Sequence, residues 1–461
     1  MSDLYYVRPV SNLSFFSKIL EKVVLNQLLK HFDKFESIPI FQSAYRKYHS
    51  VETAICKIFN DLIVEKCNNK CTLLILLDQT AAFDTVNHCL LLDDLSHFGI
   101  DGTVLNWFKS YLHDRKFKVV TNDSVSDAQS LSFSVPQGSI LGPYLYIIYS
   151  IELYYLLLGF GVSCHFYADD TQIYIAISDI ETTLLQINIV LNAVKQWMES
   201  KRLKLNMDKT EIIIIGSKMK LKDFEGISSL KLFDTDIEVS KRIKNLGVFI
   251  DSSLTLDDQI KSIKKKSIGN LKNISHIRKY IDKETCLKLV HNLVLSNIDF
   301  CNSILYGLPN NKLRKLQIII NNSARVISGI SSFSRLRITP ICIQLHILPI
   351  KARIVFKICL LTFKTLFTGQ PAYLRNLLHF YQPATDIVLR HTNEPYRLLE
   401  TRLCNAQFES RCFRFCAPKL FNMIPPGIRA SDSISSFRKQ LKTWIFQQCY
   451  NLSTNELNPS F

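Results

Sequence analysis

The sequence predicts an α+β chain, a sheet with helices on one face followed by a long helical region, and three observations predict it. Short apolar runs at 73–77 and 212–215 have the length of buried strands. Apolar residues flank the acidic pair Asp169-Asp170 on both sides, the pattern of a β-hairpin with the pair at its tip. After about Asp251, strand-like runs give way to helical periodicity.

Taken in order, the elements follow from their side chains. Ile19, Val23, Val24 and Leu28 share one helical face, with Lys18, Lys22 and Lys30 elsewhere. The 73–77 run delivers Asp78 at the end of its strand. Residues 144–164 are apolar enough to suggest a membrane span. Glu152 lies inside them, Gly159 and Gly161 break them, and no Lys or Arg cluster flanks them. A buried helix followed by a strand is therefore expected there. The hairpin covers 163–177, and Leu184, Ile187, Leu191, Val194 and Met198 step by three and four along an amphipathic helix.

Beyond residue 251 the basic stretch Lys261, Lys264, Lys265, Lys266, Lys272, Arg278 and Lys279 joins the helical texture. A turn at 308–311 and Pro340 read as breakpoints. Pro425-Pro426-Gly427 precedes a last helix with Phe437, Leu441 and Trp444 inward. These borders give three regions: 1–251, a helical domain 252–340, and a helical extension 341–461.

Composition narrows the class. Of 461 residues, 47% are hydrophobic and only 14 are Gly and 14 Pro, which excludes a disordered chain. Thirteen Cys, an odd number spread over a long chain, argue against a disulfide framework. Met1 to Pro9 contains no apolar core of a signal peptide, so a reducing compartment, nuclear or cytoplasmic, is expected. Lys plus Arg outnumber Asp plus Glu by 56 to 40, a net +16, which makes nucleic acid the expected partner. Cys67 with Cys71, and Cys412 with Cys416, are spaced by four, but no His completes a zinc site, and none is expected.

Two adjacent carboxylates at a turn repel each other, and a divalent cation offsets that repulsion. Asp78, at the end of another strand, would join Asp169 and Asp170 if the strands are neighbours. An oxygen-only set suits Mg²⁺ or Mn²⁺ rather than zinc. An isolated Asp-Asp is also an ordinary surface turn, so context decides.

That context is a series of segments. Tyr167-Ala168-Asp169-Asp170 resembles the catalytic box of reverse transcriptases. The segment 78–88, from Asp78 through Phe83 and Asp84 to His88, resembles the first catalytic motif of the non-LTR (LINE-type) retrotransposon enzymes. Val135-Pro136-Gln137-Gly138-Ser139-Ile140-Leu141-Gly142-Pro143 resembles their template and nucleotide motif. Residues 205–211 and 246–250 resemble the next two in the family's order, the last being the primer-grip strand. Upstream, Arg8-Pro9-Val10-Ser11 and Gln42-Ser43-Ala44-Tyr45-Arg46 resemble finger motifs. Seven segments in order form a specific signal, and the resemblance is to the jockey-like branch; beyond about residue 340 it weakens.

The resemblance implies a right-hand polymerase fold, with fingers and palm over 1–251 and a helical thumb over 252–340. It implies an RNA-directed DNA polymerase that extends a DNA primer on an RNA template from deoxynucleoside triphosphates. Asp78, Asp169 and Asp170 would surround the metals. Lys209 would lie near the leaving pyrophosphate as acid or point charge; a solvated surface lysine is the alternative. Phe83 matches the steric gate against a ribose 2′-hydroxyl, or else is a core residue. Gln137 and Gly138 would contact nucleotide and template, and Arg8 and Arg46 would clamp the triphosphate. Asp84 is a motif residue and not a ligand.

Two departures carry expectations. The chain begins just before Arg8-Pro9, which implies truncated fingers and no upstream endonuclease, and Gln79-Thr80 replaces a more apolar-then-small pair. A relic that binds nucleic acid without catalysis is the competing reading.

Overall fold

The computed structural model describes residues 10–35, 37–121, 124–232, 235–331, 334–382, 398–402, 408–451 and 456–457. Contacts group the chain into two units interleaved along the sequence. One holds Met1–Lys47, Leu73–Ile212 and Gly226–Val239; the other holds Tyr48–Thr72, Ile213–Glu225 and Ser240–Phe461.

The first unit is built on a four-stranded sheet. Its strands are β1 (Cys71–Gln79), β2 (Ser163–Tyr167), β3 (Asp170–Ile177) and β4 (Leu205–Ile215), in the order β2-β3-β1-β4. Leu73, Leu74 and Ile75 are fully buried, as a central strand requires. The predicted hairpin is present: Tyr167 pairs with Asp170, leaving Ala168 and Asp169 as a two-residue tip. Strand β4 begins seven residues before the apolar run at 212–215, because its first half is polar and half-exposed.

Three helices matter to this unit: α1 (Phe15–Lys34), α2 (Gly142–Gly159) and α3 (Ile180–Ser200). Helix α2 is the apolar segment and leads into β2, as expected. Its Glu152 pairs with Lys201 at 2.9 Å and accepts from Trp197 Nε1 at 3.3 Å. Among the described residues no helix is long and apolar enough to cross a membrane. Helix α3 buries Ile187, Val190, Leu191, Val194 and Met198. Helix α1 corrects the sequence reading. Ile19 and Val23 are about half exposed, and the buried stripe is Glu21, Leu25, Leu28 and Phe32. The helix is turned so that the Glu21 carboxylate reaches inward, for a reason given below.

In the second unit β5 (Arg242–Asn245) and β6 (Val248–Asp251) form a hairpin. Leu246 and Gly247, expected to begin a strand, form its turn instead, with φ of +46° and +83°. A two-residue loop with both φ positive matches strand twist, and Gly247 satisfies it without steric cost. The Asp251 carboxylate accepts from the backbone of Ser253, Thr255 and Leu256, closing the approach to helix α4 (Asp257–Ile277). Helices α5 (Asn310–Ser328), α6 (Ile350–Thr368), α7 (Phe413–Asn422) and α8 (Ile434–Cys449) follow. Pro340, read as a breakpoint, lies in the first turn of the short helix Ile338–Gln344, where its missing N–H costs no helix bond. Phe363 of α6 stacks on Phe437 of α8 at 3.9 Å. Phe437 and Leu441 are buried as predicted, while Trp444 is half-buried. A two-residue ribbon, Tyr450–Asn451 with Glu456–Leu457, ends the helical part. Cys67, Cys71, Cys412 and Cys416 are free thiols.

Candidate active site

The tip carrying Asp169 is held by neutral polar groups. Residues 41–43 run beside β2: Phe166 N donates to Phe41 O and Ser43 N to Phe166 O, both at 2.9 Å. This puts Gln42, 3% exposed, under the tip, where its Oε1 accepts from Ala168 N at 3.1 Å and Ala44 N at 2.9 Å. Ala168 has φ +58°, a conformation costing about 1 kcal/mol for a residue with a Cβ. Gln42 meets the N–H that this conformation turns inward. Asp169 is half-buried and Asp170 exposed.

Strand β1 is the neighbour of β3 and brings Asp78 to the same sheet. Asp78 Oδ2 accepts from Asn206 Nδ2 at 3.1 Å and lies 3.7 Å from Lys209 Nζ; Lys209 is 66% exposed. One buried residue connects the two carboxylate-bearing strands. The Tyr146 hydroxyl donates to Gln79 Oε1 at 2.7 Å. Burial pushes its phenol well above the usual range, and the Asp169 and Asp170 charges add to that. The unusual Gln79 is therefore a satisfied buried partner of Tyr146. After β1 the chain turns at Ala81, φ +49°, and Phe83 stacks half-buried on Tyr146 at 4.6 Å.

The segment 134–142 is fastened from three sides. Gln137 Nε2 donates to both Asp84 oxygens, at 3.0 and 2.9 Å, and Gln137 O accepts from Ser11 N at 2.8 Å. Gly138 has φ +104°, and a Cβ there would sit 3.0 Å from Ser11 O, so glycine is required. Glu21 Oε2 accepts from Ile140 N at 2.6 Å and Leu141 N at 3.4 Å, and Tyr111 donates to its Oε1 at 3.0 Å. A carboxylate at the start of α2 is favoured by the helix dipole and by the unmet N–H groups. This is what turns Glu21 inward.

Arg46 donates through Nη1 to Pro39 O at 2.7 Å and Gln42 O at 3.2 Å, fastening the loop that carries Gln42. Arg8 lies outside the described residues. Of the basic run, Lys264, Lys265, Lys266 and Lys272 are exposed on α4. Arg278 differs: its three nitrogens donate to the carbonyls of Val326, Ile281 and Ile327, capping α5. The sequence placed Gln42 and Asn206 in motifs without assigning them a role, and did not single out Glu21 or Tyr146. Glu21 had a signal only in retrospect, since a carboxylate on a helix surface is ordinarily solvated.

Among the described residues no three His, Cys, Asp or Glu side chains are grouped closely enough to hold a metal ion. The donor chemistry nevertheless fits a hard divalent cation: Asp78, Asp169 and Asp170 offer only oxygens, on neighbouring strands, with the loosely placed Lys209 beside Asp78.

Comparison with known proteins now bears on this geometry. The family model for reverse transcriptase (RNA-dependent DNA polymerase) matches residues 5–250. The chain belongs to the reverse transcriptase family. Its relatives place it in the jockey-like, non-LTR branch. It is 26% identical over 344 residues to the RNA-directed DNA polymerase from mobile element jockey of Drosophila melanogaster, covering 73% of this chain and 37% of that protein. It is 23% identical over 337 residues to the probable RNA-directed DNA polymerase from transposon BS of the same fly, covering 71% and 37%. The chain thus spans 37% of the length of these curated relatives. Among solved structures, apo telomerase from Candida tropicalis aligns with a TM-score of 0.40 and 14% identity, over 77% of this chain and 60% of that one. The mixed palm sheet followed by helices is the right-hand polymerase fold of the family, and the family generally uses divalent metal ions.

Proposed function

We propose that the chain is an RNA-directed DNA polymerase that extends a DNA primer on an RNA template. The observation that carries this reading is the hairpin tip: Asp169 on the tip and Asp170 at the start of the strand that neighbours Asp78's, with Gln42 and Tyr146 buried nearby. In this reading Asp78, Asp169 and Asp170 hold Mg²⁺, or Mn²⁺. The bound metals would lower the pKa of the primer 3′-hydroxyl and neutralise the triphosphate. Lys209, exposed beside Asp78, supplies a point charge or proton to the departing pyrophosphate. Phe83, backed by Tyr146, presents a ring to the sugar and excludes a 2′-hydroxyl. The Gln137-Gly138 segment, held by Asp84, Ser11 and Glu21, offers backbone that approaches template and nucleotide closely. Arg46 steadies the finger loop, and Arg8 with it would meet the triphosphate. Residues 1–251 serve as fingers and palm, 252–340 as thumb and 341–461 as extension. The exposed lysines of α4 suit a duplex backbone.

The test is primer extension on an RNA template by the purified chain, with Mg²⁺ titrated in. Metal-dependent incorporation of deoxynucleotides is expected. Salt-sensitive binding of primer–template without any extension would support the relic reading instead.

A further inference from the structure

A second site lies wholly within the second unit. It is a cavity of about 890 Å³ between the start of α4, the 306–313 turn, α6, α7 and α8. Four cations line it, Lys312, Lys351, Arg411 and Lys419, and no Asp or Glu does among the described residues. Lys312 is already matched by Asp257 at 2.9 Å. Lys351 and Lys419 have no ion pair among the described residues, and Lys419 is exposed at the rim.

Arg411 is the unusual member. It is 8% exposed, and only its Nη1 has a partner, Leu254 O at 3.1 Å; Nε and Nη2 are buried without hydrogen bonds. A guanidinium so placed is costly unless something else accepts from it. The fold nevertheless builds a cradle for it. The guanidinium lies over the Phe408 ring at 4.6 Å, and Gly307, φ +72°, leaves room that a Cβ would close, 2.6 Å from Arg411 Cγ. The nearest charge of opposite sign, Asp251, is spent on three backbone N–H groups. The remaining wall mixes apolar side chains with Ser253, Thr255, Asn310 and Ser410, and Trp444 lines one side.

We infer that this cavity binds a nucleotide, with the phosphate on Arg411, Lys351 and Lys419 and the base against Trp444. A guanidinium lining the cavity beside two lysines suits phosphate oxygens. The volume far exceeds that of an inorganic anion. An indole beside cations is the pairing that holds a base and its phosphate together. This site is separate from the three carboxylates and requires no metal. The ligand is either a free nucleotide or one residue of a single strand, and the two share this chemistry.

The experiment is equilibrium dialysis of labelled AMP with the full chain in EDTA. Wild type is expected to bind AMP saturably, and at least about tenfold more tightly than adenosine or inorganic phosphate alone. Lys351→Glu with Lys419→Glu, the first half-buried and the second exposed, should weaken AMP at least about tenfold while the melting temperature holds. Trp444→Ala should bring AMP down toward phosphate. Arg411→Gln should abolish binding; if it fails to fold, the rim pair decides. Equal AMP binding by wild type and the rim variant, or no saturable binding by wild type, would overturn the site. Competition by oligo(A) of roughly ten nucleotides separates the sources: displacement tighter than AMP itself assigns a strand, weaker displacement a free nucleotide. Asp169→Asn should bind AMP as wild type does, so failure here and failure of the polymerase reading are told apart.

Discussion

Two acidic groups in the first unit make opposite use of the same residue types. Asp94 and Glu152 converge on one lysine: Lys201 Nζ is 2.5 Å from Asp94 and 2.9 Å from Glu152. Lys201 is 7% and Asp94 4% exposed, and the Lys201 carbonyl accepts from the Tyr149 hydroxyl. This cluster carries its own cation, with Asp94 buried and the Glu152 side chain half exposed. Asp78, Asp169 and Asp170 stand at an accessible end of the sheet, with Lys209 as the nearby cation of Asp78, at 3.7 Å and mostly exposed. Uncharged groups contribute to holding them: Gln42 under the tip, Tyr146 on Gln79, and Asn206 on Asp78. The structural cluster brings a buried lysine to its carboxylates, whereas Asp78, Asp169 and Asp170 gather oxygen donors of one sign near the end of the sheet.

The sharpest way to break this contrast is Asp169→Asn. If the tip holds metal, primer extension should fall about a thousandfold or more, because several kcal/mol of charge stabilisation are removed. Template binding and the melting temperature should stay near wild type. Extension at the wild-type rate would end the catalytic assignment.

Lys201→Met should do the reverse. It leaves Asp94 buried beside Glu152 with no cation, at a cost of about 3–5 kcal/mol in urea unfolding. A change under about 1 kcal/mol would show that the cluster is solvated after all.

Titration offers a third comparison. Burial pushes the Asp94 carboxyl up to about 6, against the opposing pull of Lys201. The folded form then holds this proton more tightly than the unfolded chain, whose carboxyl titrates near 4. Its contribution is therefore fully present below pH 4 and is lost as pH rises through 6, by roughly 3 kcal/mol. Asp94→Asn should flatten that step in stability measured against pH, and an unchanged step would assign it to another group.

Gln42→Leu tests the neutral scaffold. It strips the acceptor from the N–H groups of Ala44 and Ala168, a loss of about 1–3 kcal/mol. Extension should drop more than stability implies, since Asp169 follows Ala168. The smallest effect belongs to Phe83→Val: deoxy-over-ribonucleotide preference should fall by about tenfold, on the order of 1.4 kcal/mol, with extension retained. An unchanged ratio would make Phe83 a partner of Tyr146 and nothing more.

The sequence by itself determined the elements whose signal is local. The 73–77 run, the hairpin at 163–177 and the helix through Leu184 to Met198 each have a period or apolar run that few alternatives satisfy, and each formed. The segment order was equally legible, because the motif residues are close in sequence within each segment. Only the tertiary structure decided which face of α1 is buried, since that depends on two N–H groups more than a hundred residues from Glu21. It alone turned Leu246-Gly247 from strand into turn, and made Gln79 a partner of Tyr146. It also joined 48–72 to the helical unit and left Arg411 in a cavity without acceptors for two of its nitrogens. Periodicity records how much of a residue is buried. It does not record which distant donor or acceptor meets it, and a buried polar group's energy depends almost entirely on that partner.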